Sequence, residues 1–348
     1  MSKKKILYIK AQGLGDMISG IPKLIQLKEQ GHEVHQIFYD IRYLTLFVTW
    51  ERKTLFRKLP MGSSWRLRFL ELLQKRKLVD KIFFVPYNFF SLVWFLIKHI
   101  RAFDEVIIPI KTRNALWIGH IVGKKITCIF EDVNDTKPWR TSIEWEIWYN
   151  PGPLHQYHNL IQLETQNYDL PNNYIAIYPS VRERSMDMEQ RVKVMEHILS
   201  QDIAVVILGW DREHWFNDQL QQYDIQHKII NLMGQTNMKQ VIRILEHSQL
   251  NISCNGWIMW IGNLVNKRNI NIHTVSAYLM EPTVDNICSY NLRLYDYPKC
   301  KPCEASSLPQ QFSIPQCVFH GTKNEWACRN VTTAYQLIKH IQSILTTI

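Results

Sequence analysis

The sequence predicts two α/β domains in tandem, each an open, mostly parallel sheet wound with helices on both faces. Three observations lead there. A chain of 348 residues, 46% of them hydrophobic, is long enough to bury two cores of ordinary size. Short apolar runs alternate with helical patterns in the first half, and the same alternation restarts in the second. A polar, aromatic-rich and proline-containing stretch, residues 132–171, interrupts the rhythm between them.

In the first half, strands are expected at Lys5 to Ala11, Glu33 to Tyr39, Lys81 to Val85, Glu105 to Ile110 and Lys125 to Ile129. A helix is expected from Met17 to Glu29, with apolar helical stretches between the later strands. The interruption reads as a bridge, with a helix around His155 to Gln166. The second pattern has strands at Tyr174 to Tyr178, Ala204 to Leu208, Leu250 to Ser253 and Asn271 to Val275, and helices at Met188 to Ser200 and Met238 to His247. A last helix, Val331 to Leu345, carries apolar residues at helical spacing. The expected division is 1–170, 171–330 and a terminal helix over 331–348. Open α/β sheets bind ligands at the carboxyl ends of their strands, so two of them are expected to face one another across a cleft.

No run of about 18 apolar residues occurs, since Phe83 to Ile100 is broken by Pro86, Asn88 and Lys98. The apolar stretch after Met1-Ser2-Lys3-Lys4-Lys5 is too short for a signal-peptide core, which predicts a cytoplasmic protein without a transmembrane segment. The net charge of +10 predicts a polyanionic partner: nucleic acid, a phosphorylated or acidic glycan, or peripheral contact with an anionic membrane face. Much of that charge falls between Arg52 and Lys77, where nine cations face only Glu71. A solvated helix face explains this run equally well.

The first strand runs into Gln12-Gly13-Leu14-Gly15-Asp16-Met17 and then an amphipathic helix with Pro22 near its start. Two glycines allow a sharp turn and a close approach of backbone to ligand, and the helix that follows directs free N–H groups at the strand end. The third glycine of a dinucleotide fingerprint is missing, which disfavours a dehydrogenase. On the residues alone, Asp16 is either a helix cap or a reacting carboxylate. Late in the chain, Cys300-Lys301-Pro302-Cys303 precedes Cys317 and Cys328, four of the seven cysteines. This is the arithmetic of a closed four-thiolate site for structural zinc or iron, or else of reduced buried thiols.

The stretch Ile6 to Asp16 followed by Ile21-Pro22-Lys23-Leu24 resembles the opening of glycosyltransferase family 9, the heptosyltransferases. The resemblance implies a GT-B architecture, two Rossmann-like domains, and an inverting transfer that requires no cofactor. It also implies that Asp16 is the general base and that Lys10 lies in the active site, while Gly15 belongs to the donor-binding turn. Tyr174 to Ser180 resembles the strand and hydroxyl residue before the family's basic loop, which implies diphosphate contacts for Ser180, Arg182 and Arg184. Arginine suits that work because its planar fork pairs two phosphate oxygens. The family commonly has lysine in this loop, where Ser185 stands here. Gly209 and Trp210 end a strand as family members do beside the nucleotide, and Asn231 to Met238, with Met233, resembles the segment approaching the base.

Ile252-Ser253-Cys254-Asn255-Gly256-Trp257-Ile258-Met259-Trp260 stands where the family has Asp-Ser/Thr-Gly and then histidine three residues after the glycine. Gly256, Asn255 and Trp257 remain candidates for holding the diphosphate, largely through backbone groups. Cys254 replaces the aspartate and Met259 the histidine. Some protein-glycosylating relatives bind iron with a cysteine cluster like the late one here. The resemblance also implies a terminal helix that packs back on the N-terminal domain.

The function expected from all this is transfer of a heptose or other sugar from a nucleotide-diphosphate donor to an anionic acceptor such as a lipopolysaccharide core. The cations between 52 and 77 would hold the acceptor's acidic groups. Alternatives keep the chemistry and change the acceptor to hydroxymethylated DNA bases, as in phage enzymes, or to an autotransporter protein. A different class, a degenerate GT-B fold that binds without turnover, draws on Cys254 and Met259.

Overall fold

The computed structural model describes residues 2–9, 14–38, 61–85, 89–110, 113–130, 153–179, 186–209, 214–254, 256–273, 284–285, 287–293 and 333–347. The chain divides into two compact units, Met1–Pro151 and Gly152–Ile348. The first contains β1 (Lys5–Tyr8), α1 (Leu14–Ser19), α2 (Ile21–Glu29), β2 (Glu33–Phe38), α3 (Met61–Lys75) and β3 (Lys81–Phe84). It continues with α4 (Phe89–Lys98), β4 (Glu105–Ile110), α5 (Arg113–Val122) and β5 (Ile126–Phe130). All pairings are parallel, in the order β3-β2-β1-β4-β5.

The central strand shows why its sequence is a continuous apolar run. Ile6, Leu7, Tyr8 and Ile9 are all buried, because helices cover both faces of the sheet. Leu7 and Ile9 join Val106 and Ile108 in a core closed by Leu92, Phe95 and Leu96 of α4 and Ala115, Ile118 and Val122 of α5. Tyr8 points to the opposite face, where its hydroxyl lies 2.9 Å from the place a side chain on Gly20 would take. Only glycine leaves that space between α1 and α2.

The amino edge of this sheet is held by paired charges. Asp80 accepts the Val34 N–H at 2.6 Å and pairs with Lys28, while Asp104 accepts the Lys5 N–H at 2.9 Å and pairs with Lys124. Glu105 accepts from Lys4 at 2.9 Å and from the Thr127 hydroxyl at 2.6 Å. Burial works against ionisation of Asp80, but the Lys28 and Val34 hydrogen bonds outweigh it and hold its carboxyl below the usual carboxylate range. For Asp104 the Lys124 hydrogen bond is the main cause of a similar lowering.

Two buried histidines flank this edge and make the fold sensitive to acid. Burial pushes His35 below its ordinary 6.5 despite a 2.7 Å contact with Glu33, and burial together with Lys4 lowers His32. A folded-state value below the unfolded one means that the unfolded chain binds protons first as pH falls. The stability contributed by neutral rings is therefore complete above about pH 6.5 and is lost progressively below it. Denaturant titrations should show a falling midpoint from pH 7 towards pH 5, and His35→Phe, which keeps the ring stacked on Phe83, should flatten that slope.

The second unit opens with a 3-10 turn (Leu154–Tyr157) and α6 (His158–Ile161), followed by β6 (Tyr174–Tyr178), α7 (Met188–Leu199), β7 (Ala204–Ile207) and α8 (His214–Leu220). Next come β8 (Ile230–Asn231), α9 (Met238–His247), β9 (Leu250–Cys254), α10 (Trp257–Val265), β10 (Asn269–His273), β11 (Ser289–Arg293) and α11 (Ala334–Thr346). The parallel sheet runs β11-β10-β9-β6-β7-β8. Helix starts are capped locally: Asp187 accepts from the Gln190 N–H, and Asn237 with Gln240 and Thr333 with Gln336 form capping boxes.

Alternation on β9 and β10 divides the two faces by chemistry. Leu250, Ile252, Cys254, Ile270 and Ile272 enter the core shared with α7 and α11. The intervening residues form a buried amide network with α9 and α10. Asn251 donates to Asn269 at 3.2 Å and accepts from the Ser248 hydroxyl at 2.6 Å. Asn263 on α10 and Asn271 on β10 donate to one another's carbonyl oxygens, at 2.8 and 3.2 Å. Asn266 closes the end of α10 by donating to the carbonyls of Leu245 and Ser248.

One expectation about organisation is corrected. The units meet at Pro151/Gly152 rather than between 170 and 171, because the turn at 154–157 packs on α10 and buries Leu154 and Ile161 in the second unit. The terminal helix, expected on the first domain, packs on α7 and β9 of the second unit. Its buried residues Ala334, Leu337, Ile341 and Ile344 complete the second core. The strand at β10 begins at Asn269 rather than Asn271, and β8 and β11 are additions to the expected strands. Among the described residues, no helix is long and apolar enough to cross a membrane.

Candidate functional site

In the second unit the chain steps outwards from β6 to β7 and β8, then returns to β9 and proceeds the other way to β10 and β11. The strand order therefore reverses between β6 and β9, and the crevice beyond their carboxyl ends is where such sheets receive ligands. Tyr178 and Pro179 end the β6 side. On the β9 side the chain passes through Gly256 directly into α10. Tyr178 pairs in register with Ser253, which brings the two sides together.

Gly256 is closely packed at this point. A side-chain carbon there would stand 3.0 Å from the Tyr178 ring and 3.4 Å from its hydroxyl oxygen. As the cap of α10 it supplies no side-chain acceptor, and the first helical bond, from the Trp260 N–H to the Gly256 carbonyl, is long at 3.4 Å. The positive end of a nine-residue helix thus opens at the carboxyl edge of β9, a geometry suited to an oxyanion. Trp257 is partly buried at its first position. Cys254 and Met259, which stand for the family's aspartate and histidine, are 2% and 0% exposed. Both side chains pack inside, so a ligand at this turn meets main chain there.

The neighbouring turns are tied to the same edge. The Leu208 N–H donates to Ile177 at 2.8 Å, the Leu232 N–H to Ile207 at 2.9 Å and the Gly234 N–H to Gly209 at 3.0 Å. Gly209 and the turn carrying Met233 are therefore joined beside the crevice. The Met233 side chain itself belongs to the hydrophobic core, so this turn also offers backbone rather than a thioether.

Sequence reasoning passed over Arg191, one turn into α7. Its Nε donates to the Met186 carbonyl at 2.9 Å, and its guanidinium lies 5.9 Å from the Phe216 ring centre. Arg191, Tyr178, Met186, Phe216 and Cys254, with Ile252 and other core residues, line a mostly apolar cavity of about 30 Å³, too small for a nucleotide. The signal was available: the residue follows the helix cap Asp187 by four positions, immediately after a loop already read as basic. Ser253 adds a buried hydroxyl without a hydrogen-bond partner among the described residues.

In the first unit the order reverses between β1 and β4. The Ile9 N–H continues the ladder to Ile107 at 2.9 Å, so the chain leaves the sheet at the carboxyl edge of its central strand. Gly15, partly buried, and Asp16 are the second and third residues of α1. The Asp16 side chain lies outside the described set, as do Lys10, Ser180, Arg182, Arg184, Trp210, Asn255 and the metal candidates Cys300, Cys303, Cys317 and Cys328. Of the basic run, Arg68, Lys75 and Lys77 are exposed on or just after α3.

No protein-family model matches the sequence, and no curated protein matches it. Solved structures do match in fold. A glycosyl transferase of family 9 from Veillonella parvula superposes with a TM-score of 0.60 at 12% identity, covering 100% of this chain and 99% of that one. The ADP-heptose lipopolysaccharide heptosyltransferase II of E. coli gives 0.58 at 11% identity, covering 98% of each. The dodecameric iron-containing heptosyltransferase TibC, solved with ADP-D-β-D-heptose, gives 0.53 at 10% identity, covering 99% of this chain and 77% of that one. The fold is therefore that of the GT-B heptosyltransferases: two Rossmann-like parallel sheets in one chain.

Proposed function

We propose that this protein is an inverting glycosyltransferase that takes a sugar from a nucleotide diphosphate and gives it to a hydroxyl of an anionic acceptor, such as a lipopolysaccharide core. The observation that carries the reading is the carboxyl edge of the second sheet. There a strand-order reversal, a glycine packed tightly under the Tyr178 ring and the uncapped start of α10 coincide. Fold likeness to enzymes whose donors include ADP-heptose makes an ADP-linked heptose the first donor to test.

In the proposed reaction the acceptor oxygen bonds to the anomeric carbon from the face opposite the leaving group. The bond from that carbon to the diphosphate oxygen breaks, and its electron pair stays with the diphosphate. The acceptor's proton passes to the Asp16 carboxylate. The positive end of α10 and the arginines of the 180–185 loop offset charge accumulating on the leaving group. The family resemblance assigns Lys10 to the same active site. The late cysteines, if they hold zinc or iron, do so as a closed structural site that leaves the transfer untouched.

Thermal unfolding across nucleoside diphosphates and nucleotide sugars tests the donor assignment. A ligand at 100 times its Kd adds about 2.7 kcal/mol of stability, enough to move a melting transition by several degrees. ADP or an ADP-sugar should produce such a shift, and indifference to every nucleoside diphosphate would remove the proposal. The buried Cys254 and Met259 favour one other outcome, a fold that binds without turnover. Donor binding with no transfer and no donor hydrolysis would select it.

A further inference from the structure

The sheet layer formed by α4 and α5 exposes apolar side chains that a surface bathed in water does not require. Trp94, Ile97 and Ile100 are 68%, 58% and 59% exposed, and Trp117 is 48% exposed. They are not scattered. The inner faces of α4 and α5 enter one core on the same side of the first sheet, so their outer faces share one surface. The helix ends are joined by hydrogen bonds from the Arg101 N–H to Ile121 and from the Phe103 N–H to Val122, both 3.1 Å.

The charged residues carried by the two helices and their C-terminal ends are cations. Lys98, Arg101, Lys124 and Lys125 are exposed at the C-terminal ends of the two helices, together with His120. Residues 86–103 and 113–125 contain no aspartate or glutamate. The nearest carboxylates, Asp104 and Glu105, are engaged by Lys124 and Lys4. Lys124 and Lys125 each stand near one carboxylate, Asp104 and Glu105, whereas tryptophan and isoleucine projecting on α4 beside Lys98 and Arg101 is the chemistry of a surface that rests at a lipid headgroup boundary.

We propose that the outer face of α4 and α5 docks on an anionic phospholipid bilayer. Trp94, Ile97, Ile100 and Trp117 enter the headgroup–acyl boundary, and Lys98, Arg101, Lys124 and Lys125 contact lipid phosphates. Charge selects this occupant over a second copy of the chain. A two-fold contact sets a patch against itself, which would oppose these cations to their own equivalents. The inference stands apart from the reading of the nucleotide site, since it uses none of that site's residues.

The test is co-sedimentation of the full chain with vesicles of phosphatidylcholine, alone or mixed with phosphatidylglycerol. At low salt the mixed vesicles should bind at least about tenfold more protein, and added salt should erase the difference. Trp94→Ser with Trp117→Ser should lower the partition coefficient about tenfold or more. Lys98→Glu, a single exposed substitution, should lower binding to the mixed vesicles about tenfold while leaving binding to phosphatidylcholine unchanged, and it decides the matter if the tryptophan variant does not fold. Failure of the wild-type protein to sediment with mixed vesicles would overturn the proposal. So would a dimer in solution that the tryptophan variant converts to monomer.

Discussion

Asp16→Ala should lower the rate of sugar transfer by about 10²–10⁴-fold, the range that a positioned general base contributes, while the nucleotide-induced rise in melting temperature stays intact. The two readouts separate because they belong to different units. Asp16 sits in the first turn of α1, where the chain leaves the central strand of the first sheet, whereas the proposed diphosphate contacts belong to the second. As the third residue of α1, Asp16 lies inside the helix rather than at its cap, where a carboxylate beside the positive helix end contributes about 0.3–1 kcal/mol. A variant that melts early but transfers at the normal rate would assign Asp16 to that role. Asp16→Asn sharpens the comparison, since asparagine keeps the shape of aspartate but cannot take a proton at neutral pH.

Gly256→Val should reduce donor affinity by at least about tenfold, the equivalent of about 1.4 kcal/mol, and so lower by about half or more the thermal shift given by nucleoside diphosphates. A branched side chain placed 3.0 Å from the Tyr178 ring must displace that ring or the start of α10, and either movement spoils the line of N–H groups offered to an oxyanion. The backbone at Gly256 is extended, with φ 164°, so the effect is one of space rather than of forbidden torsion. Isothermal titration with ADP measures it directly. Unchanged affinity with an unchanged melting temperature would show that the diphosphate binds elsewhere.

Much of this was legible in the sequence because the strands are apolar on both faces and the turns after them are glycine-rich. Lys81 to Val85, Glu105 to Ile110 and Tyr174 to Tyr178 could be placed nearly to the residue. The amide-bearing strands were harder to read. In Asn269–His273 every second residue is polar, which on pattern alone suggests a face in water, yet all five are buried, and the amides find partners in Asn251 on β9 and Asn263 on α10. Ser289–Arg293 escaped notice for a related reason: it is a short, polar edge strand whose only described neighbour is β10. The packing of the terminal helix on α7 and β9 is not legible in the sequence, because an apolar stripe announces that it will be covered but not by what. Arg191 was missed because an arginine on an amphipathic helix looks like any solvated cation until its guanidinium is seen over Phe216.

The reciprocal amides of Asn263 and Asn271 restrict how this protein can change. Each satisfies the other inside a space closed to water, so exchanging one alone strands a polar group at a cost of about 1–3 kcal/mol. Directional bonds also forbid the small slips along the strand that oily contacts would tolerate. A lineage seeking a different donor is thereby steered towards altering loops beside this helix, or towards replacing both asparagines together, while the helix keeps its aim.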